Sequence, residues 1–448
     1  MSKLSDKHVV IGLGKTGLSC VRFLKRLECD VVVIDTRQQP PGMEQLQQEF
    51  PDVPLLTGPL KNFNLTTAQE LIVSPGVSIQ EAAILEARAA GVSIAGDIEL
   101  FARSVATPMI AVTGSNGKST VVTLLGKALE SLGYDVCVAG NIGLPVLDAL
   151  ISCKDVDVWV LELSSFQLET TDNLCAKVAV NLNVSDDHMD RYQSMADYAT
   201  AKQRIFDCCE AAVYWIEDPR TKPMQALANT SPFGSSKGAR GRFHVGLDND
   251  IRCVKDGSKT VVYESDLRIK GEHNLLNVAA VLTTLVEFGV DYKLALPAIK
   301  AFPGLPHRCQ WVAKVNGVDW YNDSKGTNVG SATAAINGLS VADSANLFWI
   351  AGGDSKGAEL ETLRQPISEH VATAILFGQD ADKLRLAIED VVATEQVETL
   401  DQAVASAFAL ANGGDVVLFS PACASFDQFE NYEARGRRFV ELVGGLVS

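Results

Sequence analysis

Residues 109–125 read MIAVTGSNGKSTVVTLL and set Lys118, Ser119 and Thr120 directly behind a glycine turn, where an apolar strand passes into a helix. Exposed backbone N–H groups and the positive end of a helix dipole make such a junction a phosphate site. The lysine would meet β- and γ-phosphates, and Ser119 or Thr120 would hold Mg²⁺ through a hydroxyl. Gly114, Ser115, Asn116 and Gly117 complete the loop. Counting back from Gly117, Val112 stands where the usual five-residue spacing calls for glycine, so the loop is shortened. Magnesium also wants carboxylates beside phosphate and water. Glu162, closing the apolar run in VWVLELSS, and His188 in SDDHMDRY are candidates, although each alone also reads as an ordinary strand-end acid or a surface histidine.

A different glycine loop opens the chain. GLGKTG places Gly12, Gly14 and Gly17 between a strand and a helix, and Asp35 ends the next strand about 20 residues on. This spacing fits a dinucleotide, another diphosphate such as a UDP-linked substrate, or a tight turn that merely packs helix on strand. Further on, YNDSKGTNVG (321–330) and AGGDSKGAEL (351–360) each put a lysine just after a strand, within reach of a phosphate or carboxylate or simply exposed. SPACASFDQF (420–429) brings small residues to a strand end. Its Cys423 has no flanking base and reads as buried, not nucleophilic.

The elements that must position these residues alternate from the start: HVVIGLG, LSCVRFLKRL, DVVVID, LIVSPG and AAILEARAAG trace a doubly wound α/β sheet. A second sheet is expected to begin near residue 97, and short strands between 231 and 271 without helices predict a small antiparallel patch on it. FPGLPHR (302–308) reads as a hinge into a third α/β region, which opens with a hairpin about Asn316-Gly317. The length of 448 residues supports about three domains. A net charge of −16 argues against a nucleic-acid surface. Ten cysteines without a C-x-x-C pair predict reduced, buried thiols. With no apolar leader and no long apolar run, the expectation is a cytoplasmic protein without membrane insertion.

Taken in order, TGSNGKST, GNIGLP, ELSSFQLE, DDHMDRY, GLPHR, NDSKGTN and SPACASFDQF resemble the Mur ligase family along the whole chain, and its D-glutamate-adding branch in particular. The resemblance implies three α/β domains: a Rossmann-like UDP-substrate domain (1–96), a central P-loop ATPase-like domain (97–303) and a Rossmann-like amino-acid domain (304–448). It implies an ATP-dependent amide ligase of peptidoglycan precursor synthesis, with UDP-N-acetylmuramoyl-L-alanine, D-glutamate and ATP as partners, acting as a monomer. The first glycine loop then serves UDP. An NAD-dependent oxidoreductase, which would use that loop alone, leaves the second loop and the later lysines without a role. A nucleotide sensor without chemistry is disfavoured because Lys118, Glu162, His188 and Lys202 are all present, while a sister ligase for a different amino acid, or a folylpolyglutamate-type ligase, stays open as the substrate choice.

By the same resemblance, Lys15, Thr16, Asp35, Thr36 and Arg37, with Ser74 and Gly76, hold the uridine diphosphate, while Asn141 and Gln167 touch the muramoyl-alanine end. Lys118, Ser119 and Thr120 bind ATP phosphates and Mg²⁺, and Glu162 and His188 complete the metal sites. Lys202 in YATAKQRIF matches a lysine carbamylated in the family, a change that turns a cation into an anionic oxygen ligand. Asn274, Asn277, Arg308, Asp323 and Lys325 frame the nucleotide. Thr327, Lys356, Ser425 and the backbone near Tyr432 hold D-glutamate.

Overall fold

The computed structural model describes residues 4–185, 187, 189, 191–235, 242–339 and 346–446. They fall into two compact units, 1–246 with 254–261 and 276–299, and 300–448 with 247–253 and 262–275. Among the described residues the strands form three sheets.

The first sheet runs Leu55–Thr57, Val31–Asp35, His8–Ile11, Glu70–Val73, Ser93–Ala95, with every neighbour parallel. Parallel strands of this kind are covered on both faces, which explains why Val31–Asp35 and Glu70–Val73 are buried throughout and why 31–34 and 71–73 are unbroken apolar runs. The helix Lys15–Arg26 lays Leu18, Val21, Phe23 and Leu24 onto it. It can start this close to the turn only because Gly17 has no side chain: a Cβ there would run into the Gly12 carbonyl.

The second sheet is ordered Lys259–Tyr263, Ile251–Asp256, Phe243–Asp248, Thr230–Ser235, Ala211–Trp215, Val178–Asn181, Met109–Thr113, Val158–Glu162, Val136–Gly140. The short strands Phe243–Asp248, Ile251–Asp256 and Lys259–Tyr263 are successive neighbours joined by two-residue links, as the expected antiparallel patch requires, and Thr230–Ser235 makes them an extension of the main sheet. Thr230–Ser235 pairs in parallel with Ala211–Trp215, and its Gly234 and Ser235 pair in parallel with His244 and Val245. The crossover that a helix normally provides is made by the connection 216–229 with its short 3₁₀ turn Pro219–Thr221, so helical periodicity never marks it.

In the third sheet the order is Gln310–Val315, Val318–Asn322, Val416–Phe419, Leu347–Gly352, Val371–Phe377, Ala393–Gln396. The first pair is the anticipated antiparallel hairpin, turned by Asn316 at φ 50° and Gly317 at φ 84°, and the other pairings are parallel.

The expectation of uniformly reduced thiols is also corrected. Cys175 and Cys208 are joined, their Cα atoms 4.7 Å apart. Both sit in left-handed turns, at φ 39° and 52°, a local geometry that cysteine spacing does not encode.

Candidate active site

The first glycine turn, the end of Val31–Asp35 and the loop after Glu70–Val73 enclose a cavity of about 460 Å³. Lys15, Thr16, Asp35, Thr36, Arg37, Ser74 and Gly76 all line it, so the residues singled out for uridine diphosphate come together at the crevice beyond the strand ends. Asp35 accepts from the Leu13 N–H at 2.7 Å and from Arg37 Nη2 at 2.7 Å. Burial opposes its charge most strongly, but these bonds prevail and hold the carboxyl below its ordinary range. Ser74 Oγ donates to Gly12 O at 2.8 Å and ties the two loops together.

The shortened phosphate loop follows Met109–Thr113. Gly117 caps the helix Lys118–Glu130 at φ 85°, a backbone state that glycine adopts without strain, and Val121, Val122, Leu124, Leu125, Ala128 and Leu129 bury the helix's apolar face. A Cβ on Gly117 would also stand 2.6 Å from Asn277 Oδ1, so Asn277 does reach the loop. Lys118 Nζ curls over the turn and donates to Gly114 O at 2.6 Å and Ser115 O at 2.9 Å. Ser119 and Thr120 are buried behind it. The loop is also stitched to the chain leaving the next strand: the Asn116 N–H donates to Asn183 Oδ1 at 2.8 Å, and Asn183 Nδ2 returns a bond to Asn116 O at 3.1 Å.

Glu162 ends its strand beside this loop and is 2 % exposed. One carboxyl oxygen accepts from Asn141 Nδ2 at 3.2 Å, and the other, Oε2, is buried without a hydrogen-bond partner among the described residues. A buried carboxylate oxygen left open in this way fits an oxygen-seeking divalent cation. Among the described residues no three His, Cys, Asp or Glu side chains gather as a metal cluster, so Glu162 would need hydroxyl, phosphate or other oxygens beside it. His188 lies outside the described residues. Lys202, on the helix Met195–Gln203, is 1 % exposed; its Nζ reaches Thr113 Oγ1 at 3.4 Å and lies over the Tyr198 ring. Burial, then the neighbouring Lys118 charge, pushes its amine well below the usual lysine range against the pull of Asp187 and Glu162.

Gln167 is drawn into structural work. It completes a capping box with Ser164 on Ser165–Leu168, and its Nε2 donates to buried Asp97 Oδ2 at 3.0 Å. Burial pushes the Asp97 carboxyl up to about 6. The folded state therefore binds a proton that the unfolded state releases from about pH 4 upward, and stability is lost as pH rises toward 6, by about 3 kcal/mol when titration is complete. Asp97→Asn is expected to melt several degrees above the wild type near about pH 7.5, with a narrower gap near about pH 5. Equal gaps at both values in thermal scans would refute this.

In the second unit, Asp323, Lys325 and Thr327 follow Val318–Asn322, Lys356 follows Leu347–Gly352, and Ser425 follows Val416–Phe419, all at the carboxyl ends of one sheet. Asp323 accepts from Ser420 Oγ at 2.6 Å and the Cys309 N–H at 3.1 Å, while burial pushes its carboxyl up to about 6. Lys325 Nζ sits over the Tyr432 ring at 5.1 Å. The exposed Lys356 is held at φ 52° by an Asp354 carboxylate that accepts from its N–H at 2.9 Å. Ser425 is buried. Asn274 Nδ2 donates to Lys270 O at 2.8 Å beside the His273 ring, and Arg308 precedes the strand Gln310–Val315.

Three family models match in chain order: "Mur ligase MurD-like, N-terminal domain" over 6–96, "Mur ligase middle domain" over 112–285 and "Mur ligase, glutamate ligase domain" over 307–423. The chain belongs to the Mur ligase family. A relative from Legionella pneumophila (strain Philadelphia 1), named UDP-N-acetylmuramoylalanine–D-glutamate ligase, is 44 % identical over 98 % of this chain and 99 % of its own. One of the same name from Pseudomonas aeruginosa (strain PAO1) is 45 % identical over the full length of both. The crystal structure of MurF ligase from Thermotoga maritima in complex with ADP shares the fold at TM-score 0.62 and 16 % identity, covering 99 % of this chain and 96 % of that one.

In this Mur ligase some organising residues gave no signal in the sequence. Arg435 is fully buried and donates to Ser324 O at 2.9 Å, Cys423 O at 3.1 Å and Ala424 O at 3.1 Å, fastening the NDSKGTN loop to SPACAS. Its neighbours Arg437 and Arg438 are exposed, so the stretch EARGRRF reads as one solvated basic face. Asp218 accepts from the Val184 N–H at 3.0 Å, and Ser115 Oγ pairs with Tyr198 Oη at 3.1 Å. Both contacts bring together residues far apart in sequence.

Proposed function

We infer that this protein is an ATP-dependent ligase that adds D-glutamate to UDP-N-acetylmuramoyl-L-alanine in peptidoglycan precursor synthesis. The observation that carries the reading is full-length identity of about 44 % to ligases of that name, 44 % and 45 % in the two relatives above, joined to a shortened phosphate loop with Lys118 over the turn.

Joining a carboxylate to an amine requires the carboxylate oxygen to become a leaving group. The alanyl carboxylate attacks the γ-phosphorus of ATP, ADP departs, and an acyl phosphate forms. The D-glutamate amine then attacks the acyl carbon, loses a proton, and inorganic phosphate leaves as the amide forms. Lys118 and Lys325 neutralise phosphoryl charge, with Gly114, Ser115, Asn116, Gly117 and Thr120 around the phosphates and Asn274, Asn277, Arg308 and Asp323 framing the nucleotide. Ser119, Glu162, His188 and Lys202 as a carbamate are the residues that hold Mg²⁺, which when bound screens phosphate charge. Glu162 Oε2, buried without a hydrogen-bond partner among the described residues, supports that assignment.

In this reading residues 1–96 bind the UDP end through Lys15, Thr16, Asp35, Thr36, Arg37, Ser74 and Gly76, with Asn141 and Gln167 toward the muramoyl-alanine end. Residues 97–303 bind ATP. Residues 304–448 hold D-glutamate through Thr327, Lys356, Ser425 and Tyr432. The enzyme acts as a monomer in the cytoplasm, where ATP and UDP-sugars are found; among the described residues no helix is long and apolar enough to cross a membrane.

Phosphate release from ATP and Mg²⁺ with UDP-N-acetylmuramoyl-L-alanine tests this, with D-glutamate, L-glutamate, D-alanine or L-lysine supplied separately. Release that depends on D-glutamate alone is the expected result. No release with any amine removes the ligase reading.

A further inference from the structure

Arg191 holds together parts of the first unit that the reaction scheme leaves unconnected. Its Nη1 donates to Pro75 O at 3.1 Å, and its Nη2 donates to Val77 O at 3.0 Å and to Glu169 Oε2 at 3.0 Å. The guanidinium lies 4.4 Å from the centre of the Phe166 ring, and only 14 % of the arginine side chain is exposed. Pro75 and Val77 form one wall of the 460 Å³ cavity beyond the first sheet. Phe166 and Glu169 belong to the segment that follows Glu162 in the second sheet. One planar cation therefore spans two carbonyls of the cavity wall and a carboxylate on the central domain, a geometry that a fork of N–H donors can satisfy and an ammonium cannot.

We propose that Arg191 is a positioning residue for the UDP-linked substrate: it fixes the loop 74–77 so that Ser74 and Gly76 face the diphosphate with the cavity already formed. The inference rests on the UDP reading of that cavity. Ser74 Oγ, which lines the cavity, anchors the loop to Gly12 O at 2.8 Å, and Arg191, which is not among the lining residues, supplies two charge-assisted bonds to its backbone. Without those bonds the loop must be ordered by the ligand itself, which lowers affinity for the UDP end and leaves the ATP site as it was.

The test is calorimetric titration of the full chain with UDP, with steady-state kinetics in parallel. Arg191→Ala is expected to weaken UDP binding about tenfold and to raise KM for the UDP-linked substrate by a similar factor. KM for ATP should stay within about twofold and kcat at saturation within about threefold, because the loss is one of substrate binding. Arg191→Lys should fall between the two proteins, since it keeps the charge beside Glu169 but not both carbonyl bonds. Should Arg191→Ala fail to fold, Arg191→Lys carries the same test. Unchanged UDP affinity in a folded variant, or equal rises in both KM values, overturns the proposal. A wild-type protein that binds no UDP instead overturns the functional reading, so the two failures are distinct.

Discussion

Lys118→Ala is expected to lower kcat/KM for ATP by about 10²–10³ while the fold persists, as measured by phosphate release and thermal unfolding together. The ammonium is held at 2.6 Å and 2.9 Å over two carbonyls of its own loop, so it is directed at the turn and not out into solvent. A phosphate oxygen arriving at that turn exchanges neutral carbonyl partners for an anion, and the gain is largest where charge builds during phosphoryl transfer. The loop does not need the lysine to keep its shape. Gly117 at φ 85°, the paired bonds between Asn116 and Asn183, and the buried helix face set it independently. Lys118→Arg should recover little, because a planar fork cannot occupy a position shaped for a point charge. A Lys118→Ala enzyme within about tenfold of the wild type would show that the loop's lysine does not act on the transferred phosphate.

Lys202→Met should separate stability from activity. The lysine is 1 % exposed, and an unmodified buried amine held only by a long bond to Thr113 Oγ1 at 3.4 Å and by the Tyr198 ring, among the described residues, is an expensive group to keep in a core. Methionine has similar length and no polar atom to desolvate, so the variant is expected to melt at or above the wild-type temperature. Activity should nevertheless fall by about 10²–10³, because the position can no longer present an oxygen ligand beside Glu162. Carbon NMR with isotope-labelled bicarbonate adds a readout that packing cannot mimic: a carbamate signal in the wild type, none in Lys202→Met. Full activity in the variant, or no such signal in an active wild type, would refute the carbamate.

The sequence by itself determined the local chemistry of this protein. Strand, glycine turn and helix are read from short-range pattern, so GLGKTG, TGSNGKST and the Asn316-Gly317 hairpin were legible from backbone requirements alone. Strand ends were legible too. Since ligands of open α/β sheets lie beyond the carboxyl ends of strands, Glu162 could be picked out before any contact was known, whereas Asp323 and Ser425 came from the family resemblance.

What only the tertiary structure decided is the pairing between those ends. The union of Cys175 with Cys208, the burial of Arg435 but not Arg437, and the bond from Gln167 to Asp97 depend on which faces meet after the sheets assemble. The extension of the second sheet through Thr230–Ser235 is of the same kind, because an irregular crossover carries no periodicity. The reason is physical: period and turn chemistry are properties of neighbours along the chain. The cost of a buried charge, and the partner that relieves it, belong to residues that folding alone brings within about 3 Å.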